Sequence, residues 1–102
     1  MATYILSILR TQPMIVFSWD FYQAIALENG LQFRVNGYKF QGRVRVLYNG
    51  GADLFDVLLL DRDGNVVRRE NEVYLDCLVD VIDRLVEKTD DYAARVSNQY
   101  GL

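Results

Sequence analysis

The sequence has no histidine, one cysteine and one proline among its 102 residues. Without histidine, acid–base catalysis would fall to a carboxylate or a lysine, and the sequence contains no recognisable arrangement of such groups. Cys77 has no second cysteine with which to form an internal disulfide, and a zinc site would lack a ligand set. We therefore expect a protein that is not an enzyme and that uses no metal or cofactor.

Long apolar runs are also absent. No segment approaches the roughly 18 residues of a membrane span, and residues 1–10 lack the basic start and cleavage site of a signal peptide. We therefore expect a cytoplasmic protein without a membrane partner. The single proline and seven glycines argue against linkers, so residues 1–102 are predicted to form one domain.

Charge is distributed unevenly along the chain, although the formal net charge is only −3. Residues 1–50 carry five basic and two acidic side chains, whereas residues 51–102 carry six basic and twelve acidic ones. Such an asymmetry bears on association with charged partners and says little about the fold.

The first 30 residues allow more than one interpretation. Residues 3–12 fit a short helix that stops before Pro13, although a strand is an alternative. Residues 14–19 are apolar and β-branched and predict a buried strand. Residues 18–30 fit either a helix or a hairpin, and we favour the hairpin with a three-residue turn at 28–30. That turn pairs Leu27 with Leu31 and Ile25 with Phe33.

Turn residues organise the middle of the chain. Asn36 and Gly37 predict a two-residue type I′ turn that places Phe33 opposite Phe40 and Arg34 opposite Lys39. After a turn at 50–51, residues 54–60 predict a strand covered on both faces. Residues 61–65 predict a further turn onto a strand at 66–69. Asp61 and Asp63 in this turn form only part of a calcium loop, so a plain turn is favoured.

The C-terminal part of the chain predicts helices. Asn71 is a suitable N-cap for a long helix over residues 72–88, and a second short helix is expected from Thr89 to about residue 99. The buried face of the long helix is predicted to contain Tyr74, Leu75, Leu78, Val81, Ile82 and Leu85. The predicted fold is therefore α+β, an antiparallel β-meander of four to six strands packed on one face by a long C-terminal helix, with short terminal helices.

Acidic residues recur along the predicted long helix at spacings that would place them on one stripe. Neighbouring like charges at this spacing cost a helix roughly 0.2–0.5 kcal/mol each, which suggests a role in binding rather than in folding. A solvated helix face is the alternative interpretation. Together with two carboxylates that follow the helix, the predicted acidic face comprises Glu72, Asp76, Asp80, Asp83, Glu87, Asp90 and Asp91.

A basic sheet face is the second candidate surface. The predicted strands alternate so that one face carries Arg34, Lys39, Arg43 and Arg45. These side chains could contact phosphates, but Tyr38, Phe40 and Tyr48 are predicted to point to the opposite face, which leaves no aromatic side chain for base stacking. The low pI of 4.8 also opposes attraction to a polyanion. We therefore expect nucleic acid to be the less favoured ligand.

Cys77 is predicted to lie inside the long helix at the edge of its apolar arc, where a free cysteine behaves as a small hydrophobic residue. Its acidic neighbours, Asp76 and Asp80, disfavour a reactive thiolate.

In its size, acidity and lack of catalytic residues, the chain resembles the anti-CRISPR proteins of phages and mobile elements. The resemblance implies an inhibitor that presents the acidic face to the basic nucleic-acid channel of a protein partner, so that its carboxylates take the place of phosphates. Two alternatives stay open. The basic sheet face could bind nucleic acid, or the acidic and basic faces could pair in a homo-oligomer.

Overall fold

The computed structural model describes residues 1–51 and 54–87. Two short helices, α1 (Ala2–Leu9) and α2 (Pro13–Ser18), precede five strands. The strands are β1 (Tyr22–Leu27), β2 (Gly30–Asn36), β3 (Gln41–Asn49), β4 (Leu54–Leu60) and β5 (Val66–Val73). A 3₁₀ turn (Leu75–Cys77) then leads into helix α3 (Leu78–Val86). The fold is thus α+β with a five-stranded antiparallel meander. This confirms the predicted fold class and the predicted sheet topology.

The prediction for the N-terminal segment is partly correct. Helix α1 forms where a short helix was expected, and its Ile5 and Leu9 are buried at the i,i+4 spacing of one helix face. The strand predicted at residues 14–19 is wrong, because residues 14–18 lie in α2 and Trp19 is its C-cap. Pro13 occupies the first turn of α2, where its fixed φ suits a helix and its missing N–H costs nothing.

The first hairpin forms, but its predicted register is wrong. Leu27 pairs with Gly30 and Ile25 with Gln32, so the loop consists of two residues rather than three. The one-residue change moves Ile25, Ala26 and Leu27 to the other face of the sheet relative to the prediction, whereas Tyr22 lies opposite Arg34. Gln23 has a φ of 51°, and the pairing is irregular between Tyr22 and Ile25.

The second hairpin keeps the predicted faces but not the predicted turn. Asn36 pairs with Gln41, so a four-residue loop replaces the type I′ turn. This loop binds the end of α3, since the N–H groups of Lys39 and Phe40 donate to the Val86 carbonyl oxygen at 2.8 and 3.2 Å. The terminal carbonyl groups of a helix need such partners, and a two-residue turn would not supply them.

The predicted long helix begins later than expected. Residues 70–73 continue β5, and Phe55 pairs with Val73, because β4 offers these residues a hydrogen-bonding partner that the sequence pattern does not reveal. Asn71 is therefore inside a strand and is not an N-cap. The second helix predicted from Thr89 lies outside the described residues.

One face of the sheet and the three helices share a single apolar cluster. Leu78, Ile82 and Leu85 of α3 are buried in it, as predicted, and Val79 and Val86 join them. Tyr74 and Leu75 were also expected on the buried face, but they precede α3 and are exposed by 64% and 42%. The two faces of β4 are both buried, as the sequence predicts, with Val57 and Leu59 on the cluster side and Leu58 and Leu60 on the other. Among the described residues, no helix has the length and apolar character needed to cross a membrane.

Candidate anion-binding face

The predicted acidic face does not form one helical stripe. Glu72 lies in β5 and Asp76 in the 3₁₀ turn, so only Asp80 and Asp83 belong to α3, with Glu87 directly after it. Asp90 and Asp91 lie outside the described residues. The regular spacing that suggested a row of carboxylates therefore does not hold across the five positions.

Two of these carboxylates have partners within the protein. Asp83 Oδ1 accepts a hydrogen bond of 2.9 Å from the indole Nε1 of Trp19, and Glu87 Oε2 accepts one of 2.6 Å from the backbone N–H of Tyr38. The two bonds join α3 and its C-cap residue, Glu87, to the N-terminal half of the chain. They give Asp83 and Glu87 a structural role that explains their presence without an external partner.

Asp76 and Asp80 remain exposed. Asp80 has no ion pair with the described residues, and Arg84, one turn further along α3, has its Nη2 3.8 Å from Glu70 Oε1. Cys77, which follows Asp76, is exposed rather than packed as a small hydrophobic residue. That Asp76 and Asp80 bind a partner stays a prediction.

The basic face is rearranged but retained. Lys39 leaves it, because this residue is in the β2–β3 loop and its Nζ donates to the Arg84 carbonyl oxygen at 2.6 Å. The positive charge of Lys39 at that position interacts favourably with the negative C-terminal end of the α3 dipole. Arg34, Arg43 and Arg45 stay on one sheet face, since the register differs from the prediction by an even number of residues.

The pairing of the strands places these arginines in two neighbouring rows across the sheet. Residues directly opposite each other in an antiparallel sheet share one face, so each row can be read from the register. The first row is Tyr22, Arg34, Arg43, Leu60 and Val66, and the second is Ile25, Gln32, Arg45, Leu58 and Arg69. We call the surface formed by these two rows the arginine face.

Arg34 lies directly opposite Arg43, and not opposite Lys39 as predicted. Two like charges in this position destabilise a sheet, by roughly 0.2–1 kcal/mol relative to neutral residues. Neither guanidinium has a hydrogen bond or ion pair with any of the described residues. The pair is therefore a positive charge on the arginine face that no carboxylate of the described residues neutralises through an ion pair.

Arg45 has a neutral partner. Its Nε and Nη2 donate hydrogen bonds of 3.1 and 2.9 Å to Oε1 of Gln32, which lies directly opposite. Because a glutamine carries no charge, this contact orients the guanidinium without neutralising it. Gln32 thus helps to preorganise the positive surface.

Apolar side chains lie beneath the arginines. Leu58 and Leu60 are only 3% and 2% exposed, although neither belongs to the cluster shared with the helices. They lie opposite Arg45 and Arg43, and the aliphatic stems of such arginines can cover apolar neighbours while the charged groups reach water. Arg43 and Arg45 therefore also contribute to packing on this face. A binding test must distinguish the loss of this packing from the loss of positive charge.

Tyr22 is an aromatic residue of this face that the sequence analysis missed. It lies opposite Arg34 and is 42% exposed. The predicted pairing, continued to the start of β1, already places Tyr22 on the face of Arg34, so extending it would have revealed this residue. Ile25 joins the same face because the pairing is irregular between Tyr22 and Ile25. The argument that no aromatic side chain accompanies the basic residues is therefore wrong.

A polar groove of about 460 Å³ opens at one end of the arginine face. Arg62, from the turn between β4 and β5, joins Arg34 and Arg43 in its lining. Tyr22 and Asp61 also line it. Oδ1 of Asp61 accepts the N–H groups of Asp63 and Asn65 at 3.0 and 2.9 Å, so the carboxylate is partly occupied by its own turn.

Within residues 1–51 and 54–87, no cluster of three or more histidine, cysteine or acidic side chains could hold a metal ion. Comparisons of the chain with protein-family models, with curated proteins and with solved structures gave no match.

Proposed function

We propose that this chain is a non-enzymatic protein that binds nucleic acid through its arginine face. The observation that carries the proposal is the Arg34 and Arg43 pair, two guanidinium groups directly opposite each other without a carboxylate partner among the described residues. A like-charge pair weakens a sheet locally, and a bound phosphate would turn that cost into a favourable contact.

The composition of the face supports the same ligand. Arginine presents a planar fork of donors that suits phosphate, and Arg45 is held in position by Gln32. Tyr22 and Ile25, exposed by 42% and 54%, add a partly apolar border on which bases could pack.

The acidity of the whole chain sets the conditions under which binding should be seen. With a net charge of −3, the protein has little long-range attraction for a polyanion, so affinity depends on contacts within the arginine face. Phosphate contacts release counterions, and affinity should therefore fall steeply as salt is raised.

The test compares two variants of equal charge. Arg34→Gln with Arg43→Gln removes the opposed pair, whereas Arg10→Gln with Arg68→Gln removes the same charge from the C-cap of α1 and from the helix-covered side of β5. Fluorescence anisotropy with labelled single-stranded and duplex oligonucleotides at 50 mM salt measures affinity. We expect at least a tenfold loss for the first variant and less than a twofold loss for the second. Equal losses, or no binding by the natural chain, would refute the proposal.

A second candidate function rests on Asp76 and Asp80, two of the exposed carboxylates of the predicted acidic face. Asp80 has no hydrogen bond or ion pair with the described residues, and Asp76 accepts only a 3.9 Å contact from Cys77 Sγ. Both are thus available to a basic protein partner, as the resemblance to anti-CRISPR inhibitors implies. Replacing both with lysine should abolish capture of such a partner at low salt and leave oligonucleotide affinity unchanged or higher. Self-association through opposite charges stays a prediction that sedimentation of these same variants would check.

A further inference from the structure

The groove at the end of the arginine face combines three features that the rest of the face lacks. Three arginines from three different segments line it, namely Arg34 of β2, Arg43 of β3 and Arg62 of the β4–β5 turn. Tyr22 lies at its border, and its volume of about 460 Å³ is in the range of small-ligand sites. From this arrangement we infer that the groove holds one phosphodiester group of a single-stranded nucleic acid, with a neighbouring base stacked on Tyr22. The inference rests on the proposed function.

The arginines can surround a phosphate from more than one side. Arg34 and Arg43 are cross-strand partners, which places their Cβ atoms about 4.5–5.5 Å apart and lets both guanidinium groups reach one anion. Arg62 approaches from the adjacent turn. None of the three has an ion pair with a described carboxylate. Binding a phosphate therefore breaks no ion pair between these arginines and the described part of the chain.

Asp61 is the one carboxylate among the described residues that line the groove, and its position is explained by the turn. Its Oδ1 accepts backbone N–H groups from Asp63 and Asn65, which holds the turn that carries Arg62. The groove therefore keeps an excess of positive charge, three guanidinium groups against one carboxylate.

Tyr22 favours a single-stranded ligand over a duplex. A phenol ring can stack only on an exposed base face, and the bases of a duplex are covered by their neighbours. Because Tyr22 is directly opposite Arg34 in the sheet, a base on the ring and its phosphate between the arginines are neighbouring parts of one nucleotide. The hydroxyl group is not needed for this contact.

The experiment measures binding of the full chain to a labelled ten-residue thymidine oligonucleotide by fluorescence anisotropy. The groove variants are Arg62→Gln and Tyr22→Leu, and circular dichroism verifies that each folds. The controls are Tyr22→Phe, which keeps the ring, and Arg69→Gln, which removes an arginine of the same face outside the groove. We expect at least about a fivefold loss for each groove variant and less than a threefold loss for each control.

The outcomes separate this inference from the proposed function. If Arg62→Gln and Tyr22→Leu bind within twofold of the natural chain while Arg34→Gln with Arg43→Gln is weakened, the groove is not the site and the arginine face still is. If no variant or natural chain binds any oligonucleotide, both proposals are overturned. If a duplex of the same length or polyglutamate competes as well as the single strand, the ligand class is wrong.

Discussion

The indole Nε1 of Trp19 donates a hydrogen bond of 2.9 Å to Oδ1 of Asp83, across 64 residues of sequence. Trp19 is fully buried at the end of α2, and Asp83 lies in the middle of α3. The bond therefore joins two helices that no sequence pattern pairs. It also shows that a carboxylate expected to face a partner is used to satisfy a buried donor.

Replacing Asp83 should reveal this role. Asp83→Ala leaves the indole N–H buried without an acceptor, and we expect a loss of about 1–3 kcal/mol in the free energy of unfolding. Asp83→Asn keeps an acceptor oxygen and should lose less. Urea unfolding followed by the fluorescence of Trp19, the only tryptophan, measures both. Asp80→Ala, an exposed position of the same helix, is the control and should change stability by less than about 0.5 kcal/mol.

Gly37 is a second position where the structure makes a sharp prediction. A Cβ atom there would lie 2.5 Å from the Val86 carbonyl oxygen, which already accepts from Lys39 and Phe40. We expect Gly37→Ala to destabilise the fold by about 1–3 kcal/mol, because the loop cannot move without losing these bonds. Thermal unfolding provides the measurement. At Gly50 the nearest atom to an added Cβ is Tyr48 Cε1 at 3.5 Å, which is an ordinary contact. Gly50→Ala is therefore the control, and we expect it to have nearly natural stability.

Asp61 should affect stability and binding in different ways. Asp61→Ala removes the acceptor for two backbone N–H groups, and we expect a loss of about 1 kcal/mol. Asp61→Asn keeps an acceptor oxygen but removes the negative charge from the groove, so it should raise oligonucleotide affinity while leaving the unfolding free energy nearly unchanged. A decrease in affinity for Asp61→Asn would contradict the assignment of the groove as an anion site.

The exposure of Cys77 predicts its chemistry. The thiol is accessible in the folded protein, so a disulfide reagent such as 5,5′-dithiobis(2-nitrobenzoate) should modify it without denaturant. Because the reagent is an anion and Asp76 is adjacent, the rate should rise with added salt. Absorbance of the released thiolate reports the rate. Modification only in denaturant would indicate that Cys77 is packed, as the sequence pattern suggested.

Side-chain alternation predicted the faces of the central strands correctly because an even shift of register leaves every side chain on its own face. Arg34, Arg43 and Arg45 were therefore assigned to one surface although the turn after Asn36 was misread. The odd shift in the first hairpin had the opposite effect and moved Ile25 to the arginine face. Tyr22 shares that face with Ile25 because the pairing is irregular between these two residues, a feature that alternation alone does not predict.

The prediction that the residues of the acidic face share one helix was wrong for a different reason. Its spacing fits a helix over residues 72–88, and local propensity alone does not distinguish this from a strand that ends at Val73. The deciding interaction is the pairing of Phe55 with Val73, which depends on where β4 happens to lie.

Composition and alternation by themselves determined that this chain forms an α+β domain with an antiparallel meander and a positively charged sheet face, because these properties depend on neighbouring residues. Only the tertiary structure decided which charged side chains have a partner within the described part of the protein. Lys39, Asp83 and Glu87 are bound within the protein by partners at least 45 residues away in the sequence, whereas Arg34 and Arg43 face each other without any described carboxylate. Contacts between distant segments select the available charges, and a linear pattern of charged residues does not contain that information.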